Sequence, residues 1–114
     1  MDEEMELVEE KTKDVIVIGI RGRLDTMTYG QLEQRLSELF DSGETKVLAD
    51  CSRMDYISSS GLRVLLVGLK KARMLEGRFA ICALGENIRE VFEISGFSGI
   101  FEVFATKEEA LMTF

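Results

Sequence analysis

A chain of 114 residues has room for one hydrophobic core, and 46% hydrophobic with 31% charged residues is the balance of a folded domain, not a disordered one. A formal net charge of −7 speaks against a nucleic-acid partner, because phosphate binding requires clustered Lys and Arg. With no histidine and two cysteines, Cys51 and Cys82, the chain lacks the roughly four ligands of a structural zinc site.

Both cysteines stand in apolar, strand-like runs, which fits buried thiols in a reducing compartment better than a disulfide. The acidic opening Asp2-Glu3-Glu4 has neither the basic nor the apolar region of a secretory leader. The longest uncharged apolar stretch, ending at Leu69, is far too short to cross a bilayer. A cytoplasmic protein that does not enter membranes is expected.

The pattern predicts strands over residues 6–10 and 15–20, joined by the polar turn Lys11-Thr12-Lys13-Asp14 as a hairpin. The second is apolar at nearly every position, as in a strand covered on both faces. Arg21-Gly22-Arg23-Leu24-Asp25 reads as a loop. Thr28 with Gln31 reads as a capping box ahead of a helix carrying Leu32, Leu36, Leu39 and Phe40, with Gly43 as its stop. A strand over residues 46–51 then leads through a polar turn to Ser58-Ser59-Ser60-Gly61 and a second helix. Its inner stripe is read as Leu62, Leu65, Leu66, Leu69 and Ala72, with Val64 and Val67 on the opposite side and Gly77 as its stop. Lys70, Lys71, Arg73 and Arg78 gather near that helix end, where cations offset the macrodipole. A strand over residues 78–84, a helix over 87–95 stopped by Gly96, a strand over 100–104 and a helix over 107–112 complete the chain. Thr106 and Glu109 supply the capping box of the last helix.

Strands alternating with helices imply an α/β fold with a mainly parallel, mixed sheet, the N-terminal hairpin at one side and about four helices. Functional loops of such sheets lie beyond the carboxyl ends of the strands. That gathers residues 21–25, 52–60 and 85–87 along one edge.

The serine turn is the stretch most informative about function. A nucleophilic serine needs a base within reach, and without histidine the usual triad cannot be built; the Gly-x-Ser-x-Gly elbow is missing too. Backbone N–H groups at the helix start could meet a nucleotide phosphate, but no Walker-type or Gly-x-Gly-x-x-Gly run is present. A third reading makes one serine a covalent phosphate acceptor, since a phosphoryl group in the first turn faces free N–H groups and the positive end of the helix dipole. Plain helix capping accounts for one serine, leaving two unexplained.

The run Asp50-Cys51-Ser52-Arg53-Met54-Asp55-Tyr56-Ile57-Ser58-Ser59-Ser60-Gly61-Leu62-Arg63-Val64-Leu65 resembles the signature of STAS domains, the bacterial anti-sigma factor antagonist family. Arg21-Gly22-Arg23-Leu24-Asp25 resembles the family's loop after its second strand, and Glu93-Ile94-Ser95-Gly96-Phe97 with Ile100 to Phe104 resembles its C-terminal third. The resemblance implies one STAS domain over residues 1–114 that binds an anti-sigma factor serine kinase and releases a sigma factor. It implies phosphorylation of the serine just before Gly-Leu, here Ser60, reversed by a metal-dependent serine phosphatase. The chain itself would be a monomer and no enzyme, with no cofactor and no metal. Asp25, Ser58, Ser59, Ser60, Gly61 and Leu62 would form the docking rim. Asp25 equally suits an Asx-type cap, Ser58 or Ser59 a helix cap, and Gly61 and Leu62 helix-start packing. The family often has aspartate two residues before the acceptor; Ser58 stands there in this chain, which removes a charge and makes Ser58 and Ser59 rival acceptors. A phosphorylation-independent scaffold or lipid-transporter subunit is the alternative within the family, and a small nucleotide-binding protein a more distant one.

Overall fold

The computed structural model describes residues 5–114. Met1 to Glu4, the acidic opening without leader features, lies outside them. A long spine strand sets the architecture. β2 (Val15–Leu24) pairs antiparallel with β1 (Met5–Thr12), from Met5 opposite Gly22 to Thr12 opposite Val15. On its other side β2 meets two shorter strands in succession, both parallel to it. β3 (Lys46–Asp50) lies against residues 16–19, and β4 (Met54–Ile57) against residues 22–24. β5 (Arg78–Cys82) and β6 (Glu102–Phe104) extend the sheet beyond β3, giving the order β1-β2-β3-β5-β6 with β4 beside β2.

The strand alternation divides the core into two layers. Ile18, Ile20, Val47, Ala49, Phe79 and Ile81 face α1 (Tyr29–Asp41), α2 (Ser59–Met74) and α3 (Glu86–Ile94). Val15, Val17, Leu48, Ala80 and Cys82 face α4 (Lys107–Thr113), whose Ala110 is fully buried. Cys51 belongs to the first layer and Cys82 to the second, so the two free, buried thiols lie on opposite faces of the sheet. Burial pushes both up, Cys82 to about 12 with a further contribution from the Asp50 charge.

The mixed, mainly parallel sheet, the hairpin and the four helices follow the sequence expectation. Five local readings are corrected. Residues 21–24 are not loop but the end of β2, and residues 54–57 are not turn but β4. Thr28 makes no cap hydrogen bond to the start of α1; it is buried and serves the preceding loop instead. Glu76, at φ +58, takes the left-handed position beyond α2, one residue ahead of Gly77. Lastly, α2 is turned toward α1. Val64 and Gly68 are buried, Leu66 is half-buried at the edge of the stripe, and Val67 is 46% exposed. The cause is contact with α1: the bare Cα of Gly68 admits Leu36, whose Cδ1 would stand 3.1 Å from an added β-carbon.

Candidate functional site

β4 builds the site. By pairing with Gly22 to Leu24 it holds the start of α2 against the end of β2, and the Ser58 N–H donates to the Leu24 carbonyl at 3.0 Å. The spine must bend for this. Gly22 adopts φ +89, a conformation that costs glycine little, and its N–H donates to the Arg53 carbonyl at 2.9 Å where the register shifts. The loop at residue 25 and the serine turn thus become neighbours.

Three serines enter α2 with distinct duties. Ser58 is the cap: extended at φ −99 and ψ 176, it accepts from the Gly61 N–H at 3.3 Å. Ser59 opens the helix and is exposed. Ser60 is half-buried in the first turn, and among the described residues its hydroxyl makes no hydrogen bond. Gly61 is buried; a β-carbon there would stand 2.7 Å from the Leu24 carbonyl oxygen and 2.9 Å from Ile57 Cγ1. Packing inside the chain is therefore enough to require glycine here. Leu62, 9% exposed, roots the turn in the core.

The neighbouring loop is tied by Thr28, whose hydroxyl donates to the Arg23 carbonyl at 2.7 Å and accepts from the Asp25 N–H at 2.9 Å. Asp25 accepts from the Met27 N–H at 3.0 Å, an Asx turn, and from Arg23 Nε at 3.2 Å. Burial raises the Asp25 carboxyl, but the bonds from Met27, Arg23 and Thr28 outweigh it and hold the group below the usual carboxylate range. Asp25 is thus an anionic staple of its own loop. Arg23 continues over the Tyr56 ring, 4.2 Å from its centre.

Around this frame lies a rim that sequence reasoning missed. Met27 is 81% exposed and Tyr56 42% exposed. Beside them a hollow is walled by Tyr29, Glu33, Ser59, Ser60 and Arg63. Arg63 was legible as a neighbour of Ser60, being three residues on along a helix; Tyr29 and Glu33 required knowledge of how α1 packs. α3 packs against β4, which brings the turn at Gly85 toward the same edge. Among the described residues the Ser60 hydroxyl shares its hollow with the Glu33 carboxylate and the Arg63 guanidinium. What the arrangement offers is an exposed, partly aromatic surface beside a serine hydroxyl that makes no hydrogen bond among the described residues.

A family model, the STAS domain, matches residues 6–110. The chain belongs to the STAS domain family. Among similar proteins, BtrV of Bordetella bronchiseptica, a proposed anti-sigma factor antagonist, is 40% identical over 110 residues, covering 96% of this chain and 95% of that one. The anti-sigma factor antagonist SpoIIAA of Bacillus has been solved in both phosphorylated and unphosphorylated forms. These superpose with TM-scores of 0.74 and 0.79 at 26% and 27% identity. The first comparison covers 96% of this chain and 97% of SpoIIAA, the second 94% and 92%. A Thermotoga maritima protein shares the fold at TM-score 0.90 and 20% identity, over 94% of this chain and 92% of that one. No helix of this STAS chain, among the described residues, is long and apolar enough to cross a membrane.

Proposed function

We propose that this chain is an anti-sigma factor antagonist whose binding is switched off by phosphorylation of Ser60. It binds an anti-sigma factor that is also a serine kinase, and the sigma factor is released. The observation that carries the reading is the division of labour at the start of α2: Ser58 caps the helix and leaves the Ser60 hydroxyl without an internal partner. The names of BtrV and SpoIIAA, and the existence of a phosphorylated form of SpoIIAA, support it.

In the transfer, the γ-phosphorus of ATP forms a bond to Ser60 Oγ as its bond to the bridging oxygen breaks; ADP leaves and the hydroxyl proton is lost. The product carries roughly −1.5 to −2 charge. Desolvating that charge at an interface is costly unless the partner supplies a cation, so the complex opens. Asp25, Ser58, Ser59, Gly61 and Leu62 serve this surface by shaping and fastening it. The chain acts as a substrate of kinase and phosphatase, in the cytoplasm, and is not an enzyme itself.

The test begins with capture of the partner from native lysate and incubation with Mg-ATP. One phosphate should map to Ser60. Ser60→Ala should bind but resist modification, with a stability loss of no more than about 1 kcal/mol. Phosphorylation should cost about 2–4 kcal/mol of affinity, roughly thirty- to a thousand-fold, and Ser60→Asp part of that. If the phosphoprotein and Ser60→Asp both bind as tightly as the unmodified chain, the reading fails.

A further inference from the structure

The hollow beside Ser60 contains two opposite charges, Glu33 on the α1 side and Arg63 on the α2 side. Among the described residues neither makes an ion pair, although they share the same walls. The nearby cations are otherwise engaged. Arg23 is held by Asp25 and Tyr56, and Arg53 lines a separate hollow with Lys107 and Arg21. Arg63 is exposed and stands three residues after Ser60, where helical side chains are neighbours with β-carbons about 5–6 Å apart. A guanidinium offers parallel N–H donors that match phosphate oxygens.

We propose that Arg63 is the phosphate-binding residue of the switch, clamping the phosphoryl group of Ser60 within the chain. The inference rests on Ser60 as the acceptor. Its consequence is a double change at the docking surface: a dianion arrives, and the one cation in the hollow is withdrawn to pair with it. Glu33 repels the phosphate from the α1 wall and so directs it toward Arg63. The clamp also makes the modified state self-sufficient, since the new charge is compensated without any partner.

The experiment needs no kinase. Phosphoserine is installed at position 60 of the full chain by stop-codon suppression, and its second ionisation is followed by phosphorus NMR against pH. The charged and titratable groups lining the hollow are Arg63 from α2 and Glu33 and Tyr29 from α1; the neighbouring strands carry the Arg23–Asp25 pair at the β2 end and the exposed Asp55 on β4. An isolated phosphoserine titrates near pH 6, and a nearby cation favours the dianion. Arg63→Gln should therefore raise the midpoint by about half a unit or more, a threefold or greater rise in proton affinity. Arg63→Lys should retain part of the effect, and Glu33→Gln should shift the midpoint the opposite way. The unmodified Arg63→Gln chain should melt where the parent does. Equal midpoints for the parent and Arg63→Gln phosphoproteins, both folded by circular dichroism, would overturn the clamp. A kinase that leaves Ser60 unmodified would instead sink the acceptor assignment, and the installed phosphoserine would still report on Arg63.

Discussion

Gly61→Ala tests how the site is fastened. The added methyl would stand 2.7 Å from the Leu24 carbonyl oxygen, 2.8 Å from Leu24 Cγ and 2.9 Å from Ile57 Cγ1. Carbon atoms in comfortable contact sit about 3.5–4.0 Å apart, so something must retreat by close to an ångström. None of the three is a free end. The Leu24 carbonyl accepts the Ser58 N–H, and Leu24 and Ile57 are 0% and 5% exposed. Overpacking of this kind costs about 1–3 kcal/mol, while alanine's better helix propensity returns about 1 kcal/mol at most. A net loss of about 1–2 kcal/mol is expected, and for a domain of this size each kcal/mol lowers the melting temperature by roughly 4 °C or more. Thermal melts and urea midpoints measure it, with an unchanged m-value showing that the unfolded state is not involved. Hydrogen exchange should place the damage at the Ser58 amide. Gly30→Ala is the control, because nothing lies within 4 Å of a β-carbon there; it should be neutral or stabilising by up to about 1 kcal/mol. If Gly61→Ala behaves like Gly30→Ala, the start of α2 is not held by the close approach described.

Leu65→Ala, at a fully buried position, should cost about 2–5 kcal/mol, and Leu66→Ala, at the edge of the stripe, about 1–2 kcal/mol; equal losses in urea denaturation would mean that α2 is rotated otherwise. Glu9 accepts from Arg35, with Nη2 at 2.8 Å, which holds its carboxyl below the ordinary value of 4.5. A depressed carboxyl stabilises the fold above its unfolded value and loses that contribution as pH falls through the folded value. The deficit of Glu9→Gln should therefore be at most about 1 kcal/mol at pH 7 and shrink toward zero below pH 4; a deficit independent of pH would refute the pairing. Cys51 and Cys82, buried and raised in pKa, should resist iodoacetamide at pH 8 in the folded chain and both react in denaturant; rapid alkylation of either in the native state would contradict their burial.

The architecture was legible because hydrophobic periodicity and strand-helix alternation record burial directly. What escaped was short or locally competed. β4 has only four residues, with Met54 and Ile57 buried and Asp55 and Tyr56 exposed, so it shows no alternation of period two. It is a strand because β2 offers an unpaired edge, a fact about the partner that its own residues do not carry. Thr28 and Gln31 satisfy the spacing of a capping box, yet the Arg23 carbonyl and the Asp25 N–H reach the threonine hydroxyl first. Val64, Leu65, Leu66 and Val67 are all apolar, so the pattern could not orient α2; the approach of α1 over Gly68 did. At the site, Ser58 as a cap and the Asx turn of Asp25 were among the readings open from sequence. The nearness of Tyr29 and Glu33 to Ser60 was not, since it depends on α1 packing, nor was the stacking of Arg23 on Tyr56, which depends on β4.

The resulting surface separates holding from switching. Thr28, Ser58, Gly61 and Leu62 fasten the two segments through internal contacts: a carbonyl, a backbone N–H, a close glycine and a buried leucine. Ser60, Arg63, Met27 and Tyr56 hang on that frame with exposed or uncommitted side chains. A charge added to the second group need break no bond made by the first. Under the proposed function, the switch therefore works through the electrostatics of a rigid face and requires no refolding. The close approach at Gly61 serves the same end: a loose turn could tolerate alanine there, but under the proposed function it would present Ser60 and Arg63 in many geometries and dilute the contrast between the modified and unmodified states.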